Sequence, residues 1–273
     1  MSYYRSISLL NSLTGGLALL VCSHALMADH YPGHARLEYG IGISALYSPD
    51  YIGSSYSQNQ LLPFPFLKYR GERLRIDDGV EARLFDTPDL LLSVSGNGSL
   101  PGPDDNPERA GMQKLDPSVE LGPSLELRLQ HDETTSLWLE LPLRFAFTLG
   151  SQPQSIGAIF HPKLAWRKPA PAKFDWKLRL AAGPLFADDR FHSYYYDVQA
   201  EEVSSSRSAY SSSQGYSGLR TDFTYSRRFD GYWFGGFIRY DSLSRSVIAD
   251  SPLVSTSSNL TAGIALAWVF SDR

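Results

Sequence analysis

The sequence predicts an all-β chain, an antiparallel transmembrane β-barrel of the outer-membrane type, with twelve strands expected and ten as the fallback. Three observations carry this. Apolar residues recur at every second position over long stretches, which is the period of a strand and not of a helix. No stretch is apolar over the ~18–20 consecutive residues that a membrane-crossing helix needs. The N-terminus reads as a secretory signal: Arg5 is followed by an apolar run from Leu13 to Val21, and Ser23-His24-Ala25 offers small residues for cleavage. The expected plan is a cleavable signal over 1–25, with 28 as the alternative end, and a single barrel domain over 26–273. The one cysteine, Cys22, lies in the signal, so neither a disulfide framework nor a cysteine-based zinc site is expected.

The elements follow in order. Leu37, Tyr39, Ile41, Ile43, Ala45 and Tyr47 share one face, and a second strand covers 61–69. Leu74, Ile76, Val80, Ala82 and Leu84 come next, then Leu90, Leu92 and Val94. The middle of the chain alternates most clearly. Val119, Leu121, Leu125, Leu127 and Leu129 interleave with Glu120, Glu126 and Arg128, and the odd positions from Leu137 to Leu149 interleave with Glu140 and Arg144. Ile156, Ala158, Phe160, Leu164 and Trp166 form another set, and Trp176, Leu178, Leu180 and Phe186 interleave with Lys177 and Arg179. The last three sets are Leu219, Phe223, Tyr225 and Phe229, then Tyr232, Phe234, Ile238 and Tyr240, then Leu260, Ala262, Ile264, Leu266, Trp268 and Phe270.

These make about eleven strands, and a single-chain bacterial barrel takes an even number. The twelfth is expected either from a split of 73–85 at Asp77-Asp78-Gly79 or from 191–198. Several stretches exceed the ~5–6 residues usual in a soluble sandwich. Leucine and aromatics fill the apolar face, with aromatics near strand ends as in interfacial girdles. Pro63, Pro65, Pro123, Pro142, Pro162 and Pro184 fall inside strand patterns. Proline donates no ladder hydrogen bond, so bulges or strand ends are expected at each.

The polar faces carry both signs, including Glu120, Glu126, Glu140, Asp222 and Asp241 with Arg144, Lys163, Arg167, Arg179, Arg220 and Arg239. Such charges are expected to pair and largely plug a narrow lumen, whereas a selective pore tends to line itself with one sign. Long loops are expected at 101–116, 188–214 and 243–258. The pairs Asp104-Asp105 and Asp188-Asp189 lack the spaced oxygen ligands of a calcium loop, so neither a metal nor a cofactor is expected. No hydrolase, metalloprotease or P-loop motif occurs. His192 and Ser193 would point to opposite faces of a strand. The chain is therefore expected not to be an enzyme. A net charge of -4 without a basic stripe excludes a nucleic-acid partner, and outer-membrane lipid is the partner the barrel implies. Candidate luminal, ligand or partner contacts are Arg144, Arg179, Arg239, Tyr194, Tyr195 and Tyr196. Three consecutive tyrosines supply packing area, so 191–198 is expected to pack in the lumen or over its mouth. The Ser-rich 204–213 is expected to stay mobile, open to protease at Arg207.

Several short stretches, in this order, resemble the MipA/OmpV family of outer-membrane proteins over nearly the whole mature length. They are Ser48-Pro49-Asp50-Tyr51-Ile52-Gly53, PFPFLKYRG from Pro63, Arg109-Ala110-Gly111-Met112, ELGPSLEL from Glu120 and ELPLR from Glu140. Tyr195-Tyr196-Asp197-Val198, Arg207 with Tyr210, Gly215-Tyr216, Asp250-Ser251-Pro252-Leu253 and Ala267-Trp268-Val269-Phe270 complete the set. The resemblance implies a barrel in the outer membrane of a Gram-negative bacterium. It implies a non-enzymatic scaffold for murein machinery, joining a lytic transglycosylase to a penicillin-binding protein. The alternative role is a narrow channel or small-ligand-binding barrel, or an adhesin. Scaffolding would call for loops on the periplasmic side large enough to hold partners.

Overall fold

A computed structural model describes residues 36–70, 74–76, 80–102, 106–169 and 175–270. The expected signal over 1–25, Cys22 and the Asp104-Asp105 pair lie outside the described residues. The strands are β1 Arg36–Pro49, β2 Ser57–Arg70, β3 Leu74–Ile76, β4 Val80–Asp86, β5 Leu90–Ser99, β6 Ser118–His131 and β7 Ser136–Thr148. Then come β8 Ser155–Phe160, β9 Lys163–Pro169, β10 Trp176–Ala187, β11 Gly215–Phe229, β12 Tyr232–Ser242 and β13 Ser258–Val269. One helix, α1 Asp189–Tyr196, interrupts the strand succession.

Each strand pairs antiparallel with the next, and β13 returns to β1, with Gly40 opposite Val269 and Tyr47 opposite Ala262. The sheet is thus closed. β8 and β9 both lie between β7 and β10, so the thirteen segments fill one position fewer, twelve. An all-antiparallel ring closes only with an even number. The twelfth strand comes from the division into β3 and β4 at 77–79. The other expectation, a strand over 191–198, is overturned: that segment is α1. Its Asp188 is an N-cap, and its buried residues His192, Tyr195 and Tyr196 fall three and four apart, the helical spacing.

The burial pattern separates a membrane barrel from a soluble sandwich. Leu61 is 68% and Ile41 61% exposed, while inward Glu140 is 3% and Arg167 2% exposed. Apolar side chains face out around the ring and charged ones face in, which suits a wall set in hydrocarbon. Two buried patches break the polar interior: Phe66 with Ala267 and Val269, against which Phe64 and Trp233 pack, and Trp138 with Ala165 and Ala181.

The prolines divide by their surroundings. His161-Pro162 separates β8 from β9, and a register shift follows Pro184 at Leu185/Phe186. The β6–β7 ladder passes from Leu121↔Phe145 to Ser124↔Pro142, skipping Pro123. Pro63 and Pro65 differ from expectation, because they sit in unbroken register against Ile43 and Ile41 of β1. On its other side β2 meets β3 only at Tyr69 and Arg70. An edge without a strand partner tolerates proline. Among the described residues, the β2 edge over 57–68 and the β5 edge over 95–99 have no strand between them, so the wall is slotted above the short β3–β4 hairpin.

All long connections leave one end of the ring: 50–56, 100–117, 188–214 and 243–257. At the other end the links are 71–73, 87–89, 132–135, 170–175 and 230–231. Outer-membrane barrels carry long loops outside and short turns in the periplasm, which orients the long-loop end to the exterior.

Candidate functional site

The exterior end is capped. Asp188 accepts a hydrogen bond from Phe191 N (2.8 Å) to start α1 and one from Ala158 N (2.9 Å), which ties the helix to β8. Gly157 makes that approach possible at φ +117°, where an added Cβ would sit 2.2 Å from Asp188 Oδ1. α1 then lays Tyr195 and Tyr196 into a cluster with Tyr51, Val198, Leu243, Ile248 and Leu253. Tyr196 OH donates to Ile52 O (2.9 Å), Ser251 Oγ to Tyr196 O (2.8 Å) and Arg109 Nη1 to Tyr195 O (2.8 Å). Tyr194 turns aside, half-buried, and its hydroxyl accepts from Asp116 N (2.9 Å). Burial raises the pKa of Tyr195 and Tyr196 above the ordinary phenol value, so both stay neutral.

A carboxylate clasps the cap. Asn106 caps a short turn over Pro107–Arg109, which presents Glu108 to two other loops. Glu108 accepts from Ser54 Oγ (2.6 Å), Ser55 Oγ (2.7 Å), Tyr51 OH (2.9 Å) and Ser255 Oγ. Burial opposes ionisation, but the hydrogen bonds from Ser255, Ser54, Ser55 and Tyr51 outweigh it and hold the Glu108 carboxyl below its usual pKa. The Ser-rich segment is pinned to the same loop rather than loose. Arg207 is buried and donates to Glu108 O (2.9 Å), Ala110 O (2.9 Å) and Glu202 O (2.8 Å). Nearby, Ser212 N donates to Asp197 Oδ1 (2.7 Å). The expectation of mobility over 204–213 is therefore corrected: a guanidinium saturates three carbonyls there, which a composition of serines does not reveal.

Below the cap lies a chamber of about 940 Å³, lined by Phe191, Tyr195, Tyr196, Leu243 and Ile248 among its apolar residues, and by Arg144, Arg220, Arg239, Glu120 and Asp241. Arg220 Nε donates to Asp241 Oδ1 (2.6 Å) and Arg239 Nε to Asp222 Oδ1 (2.8 Å). Arg144 lies 3.7 Å from Glu120 and donates through Nε to Ser95 Oγ (3.2 Å). Of the sequence candidates, Arg144, Arg239, Tyr195 and Tyr196 thus meet at one chamber. Arg179 does not line it. It lies with Arg167, which it faces across β9–β10, and Glu140 lies between these like charges. Arg179 Nη2 sits 2.6 Å from Glu140 Oε2, Lys163 Nζ 3.4 Å from the same oxygen, and Arg167 bridges Glu140 and Glu126 while stacking 4.7 Å over Trp138. The expected pairing of mixed charges holds, yet it leaves a chamber above.

Four contributors lay outside the sequence candidates. Glu108 was visible only as part of Asn106-Pro107-Glu108, a turn start with Pro at its first position. Alternation places Arg220 on the polar face without singling it out, and Arg207 reads as a protease-open position and not as an anchor. His192 was weighed against Ser193, but its Nε2 lies 2.7 Å from Ser217 Oγ and its Nδ1 2.6 Å from Ser213 O. Burial, opposed by the Ser213 carbonyl, holds His192 below the ordinary imidazole pKa. Among the described residues no group of three or more His, Cys, Asp or Glu could hold a metal.

The profile of a family described as MltA-interacting protein MipA matches residues 41–270. No curated protein sequence matches the chain. Among solved structures, an outer membrane channel from Pseudomonas putida F1 is 10% identical with a TM-score of 0.46, over 90% of this chain and 100% of that one. A bacterial polysaccharide outer membrane secretin is 7% identical with a TM-score of 0.44, over 85% and 98%. The NanC porin is 7% identical with a TM-score of 0.37, over 84% and 98%.

Proposed function

The chain belongs to the family of MltA-interacting protein MipA, and from that membership and the form of its lumen we propose that it is a non-enzymatic, loop-capped barrel of narrow-channel type that takes a small solute into its lumen. It is an outer-membrane β-barrel of a Gram-negative bacterium. The observation that carries the luminal role is the chamber itself, about 940 Å³, which is the size of a small-molecule site and is walled by convergent arginines below and aromatic rings above. In planar bilayers the wild-type protein should be nearly silent, and Glu108→Ala, which unties three loops from one another, should conduct steadily. If verified insertions of both stay silent, the channel reading fails.

No catalytic assembly is proposed. His192 faces Ser217, but its other nitrogen rests on a backbone carbonyl and not on a carboxylate, which a serine mechanism uses to stabilise the imidazolium.

A second reading, a scaffold for a lytic transglycosylase and a penicillin-binding protein, takes its support from the family description. The links opposite the long loops have two residues (230–231) to six residues (170–175), so a partner would dock on the barrel rim rather than on loops. Crosslinking in cells tests it: recovery of a murein enzyme supports the scaffold, and recovery of only lipid and barrel-assembly factors counts against it.

A further inference from the structure

We propose that the opening in the wall between β2 and β5 is a side entrance to the chamber, through which an uncharged single-chain amphiphile, an alkyl chain with a hydroxyl or amide head, enters from the outer leaflet. This rests on the luminal-uptake reading and names the solute class and its route.

The opening is set by chain length and kept open by proline. Nineteen residues, 71–89, join β2 to β5, and two strands that each cross a membrane need ~9–11 residues apiece besides their turns. The β3–β4 hairpin is accordingly short: it pairs with β2 at Tyr69 and Arg70 and with β5 from Leu91 to Val94. Among the described residues no strand lies between β2 over 57–68 and β5 over 95–99. An open edge in a membrane wall leaves backbone groups unsatisfied and invites another strand. The β1 ladder runs unbroken past Pro63 and Pro65. Successive strand residues turn their N–H groups to opposite neighbours, so both prolines face the open edge and remove two of its donors. That edge is poor ground for an added strand, and a ligand that needs no backbone ladder fits it better.

The opening leads to the chamber. Gln60 and Leu62 on its β2 side and Asn97 and Ser99 on its β5 side line that cavity of about 940 Å³. Phe64 and Phe66 continue the same inner face of β2 below Leu62 and pack with Trp233, Ala267 and Val269. The Phe66 and Trp233 rings are 5.4 Å apart. The inner rim of the opening is thus apolar, where most of the interior is charged. From above, α1 and the loops fastened by Glu108 and Arg207 cover the chamber, so the side is the more direct way in for a molecule dissolved in the bilayer.

The lining suits an uncharged head. Lys114, Asp50 and Asp116 also line the chamber and, with the three arginines, Glu120 and Asp241 already named, make four cations and four carboxylates. Neither sign of charge is in excess. Beside the opening, Gln58 Nε2, a donor, and Gln60 Oε1, an acceptor, are buried without a hydrogen-bond partner. A buried polar atom left unpaired is costly, and a hydroxyl or an amide can accept from the one and donate to the other. The alkyl chain then lies against Tyr195, Tyr196, Leu243 and Ile248, which line the chamber above.

The experiment uses the full-length protein in phosphatidylcholine nanodiscs, with its heat-modified gel band verifying the fold. A photoactivatable diazirine analogue of hexadecanol is dissolved in the bilayer and irradiated, and labelled residues are mapped by mass spectrometry. The outward Leu121 and Leu180 should be labelled without saturation. Leu62, Phe64, Tyr195 and Tyr196 should be labelled too, and excess hexadecanol should remove those labels alone, more completely than hexadecane does. Leu62→Trp, which narrows the inner rim, should lose most of the label on Tyr195 and Tyr196 and keep that on Leu121. Labels confined to outward residues, or inward labels that hexadecanol does not remove, overturn the proposal. Equal competition by alcohol and alkane overturns the head contact with the glutamines. Chamber labels unchanged in a folded Leu62→Trp protein put the entry through the cap and overturn the side route. If Leu62→Trp does not fold, the presence or absence of competed labels on Leu62 and Phe64 in the wild type decides alone. Steady conductance of Glu108→Ala without chamber labels would sink this proposal and leave the channel reading standing. Chamber labels in a protein whose Glu108→Ala variant stays silent would do the reverse.

Discussion

Three residues concentrate much of the energetics. Glu108 has a depressed pKa in the folded cap, so its contribution is complete above the unfolded carboxyl value and is lost as pH falls through the folded one. Glu108→Gln should therefore lower the unfolding temperature at neutral pH and flatten its fall in acid, as followed by heat modification on gels. His192 is likewise depressed. Its neutral form holds the cap above the unfolded imidazole value, near 6.5 by model peptides, and the cap loses stability as pH drops below that. His192→Gln should remove this mildly acidic component and leave the more acidic one from Glu108. Arg167 is the third. Arg167→Ala would strand the buried Glu126 while Glu140 keeps Arg179 and Lys163, and should cost about 3–5 kcal/mol, whereas Arg128→Ala at the exposed pair with Asp89 (side chain 76% exposed) should cost under about 1 kcal/mol. Chemical unfolding of the two variants in matched lipid compares them.

At the scale of elements, α1 is held at its start. Asp188→Ala removes both the helix cap and the tie to Ala158, and loss of such a cap costs about 1 kcal/mol. Gly157→Ala should destabilise more, since it combines a left-handed backbone with a clash against Asp188. Both should increase conductance if the helix is the lid. The 204–210 segment hangs on Arg207, so the wild-type protein should resist chymotrypsin at Tyr210, whose hydroxyl donates to Val247 O (3.0 Å). Arg207→Ala should expose that bond to rapid cleavage. Equal cleavage rates would mean that Arg207 does not pin the loop.

For the whole molecule, closure is what converts alternation into a membrane protein. Strands β1 and β13 are far apart in sequence and register over eight residue pairs, and an open edge in hydrocarbon would leave backbone groups unsatisfied. The barrel should fractionate with the outer membrane and migrate faster on gels before heating than after. A soluble periplasmic pool without that shift would contradict the fold.

What the sequence determined alone was local: which residues alternate, how long they do so, and therefore which strands exist and which of their faces is apolar. Leu121, Phe145 and Leu180 announced their membrane face because strand side chains alternate with period two regardless of what pairs with them. The even-number rule carried the count to twelve, but the choice between 73–85 and 191–198 was decided in space, where a helix starting at Asp188 could lay its tyrosines over the lumen. The cap was equally illegible. Tyr51 OH reaches Leu253 O at 2.8 Å and Gly53 N reaches Asn259 Oδ1 at 2.6 Å across some two hundred residues, and no periodicity encodes which loop meets which. Arg144 and Arg239 were readable as luminal from alternation. That they share a chamber with Tyr195, while Arg179 is spent on Glu140, depended on the register and stagger of a closed ring. Those are properties of all the strands together and not of any one of them.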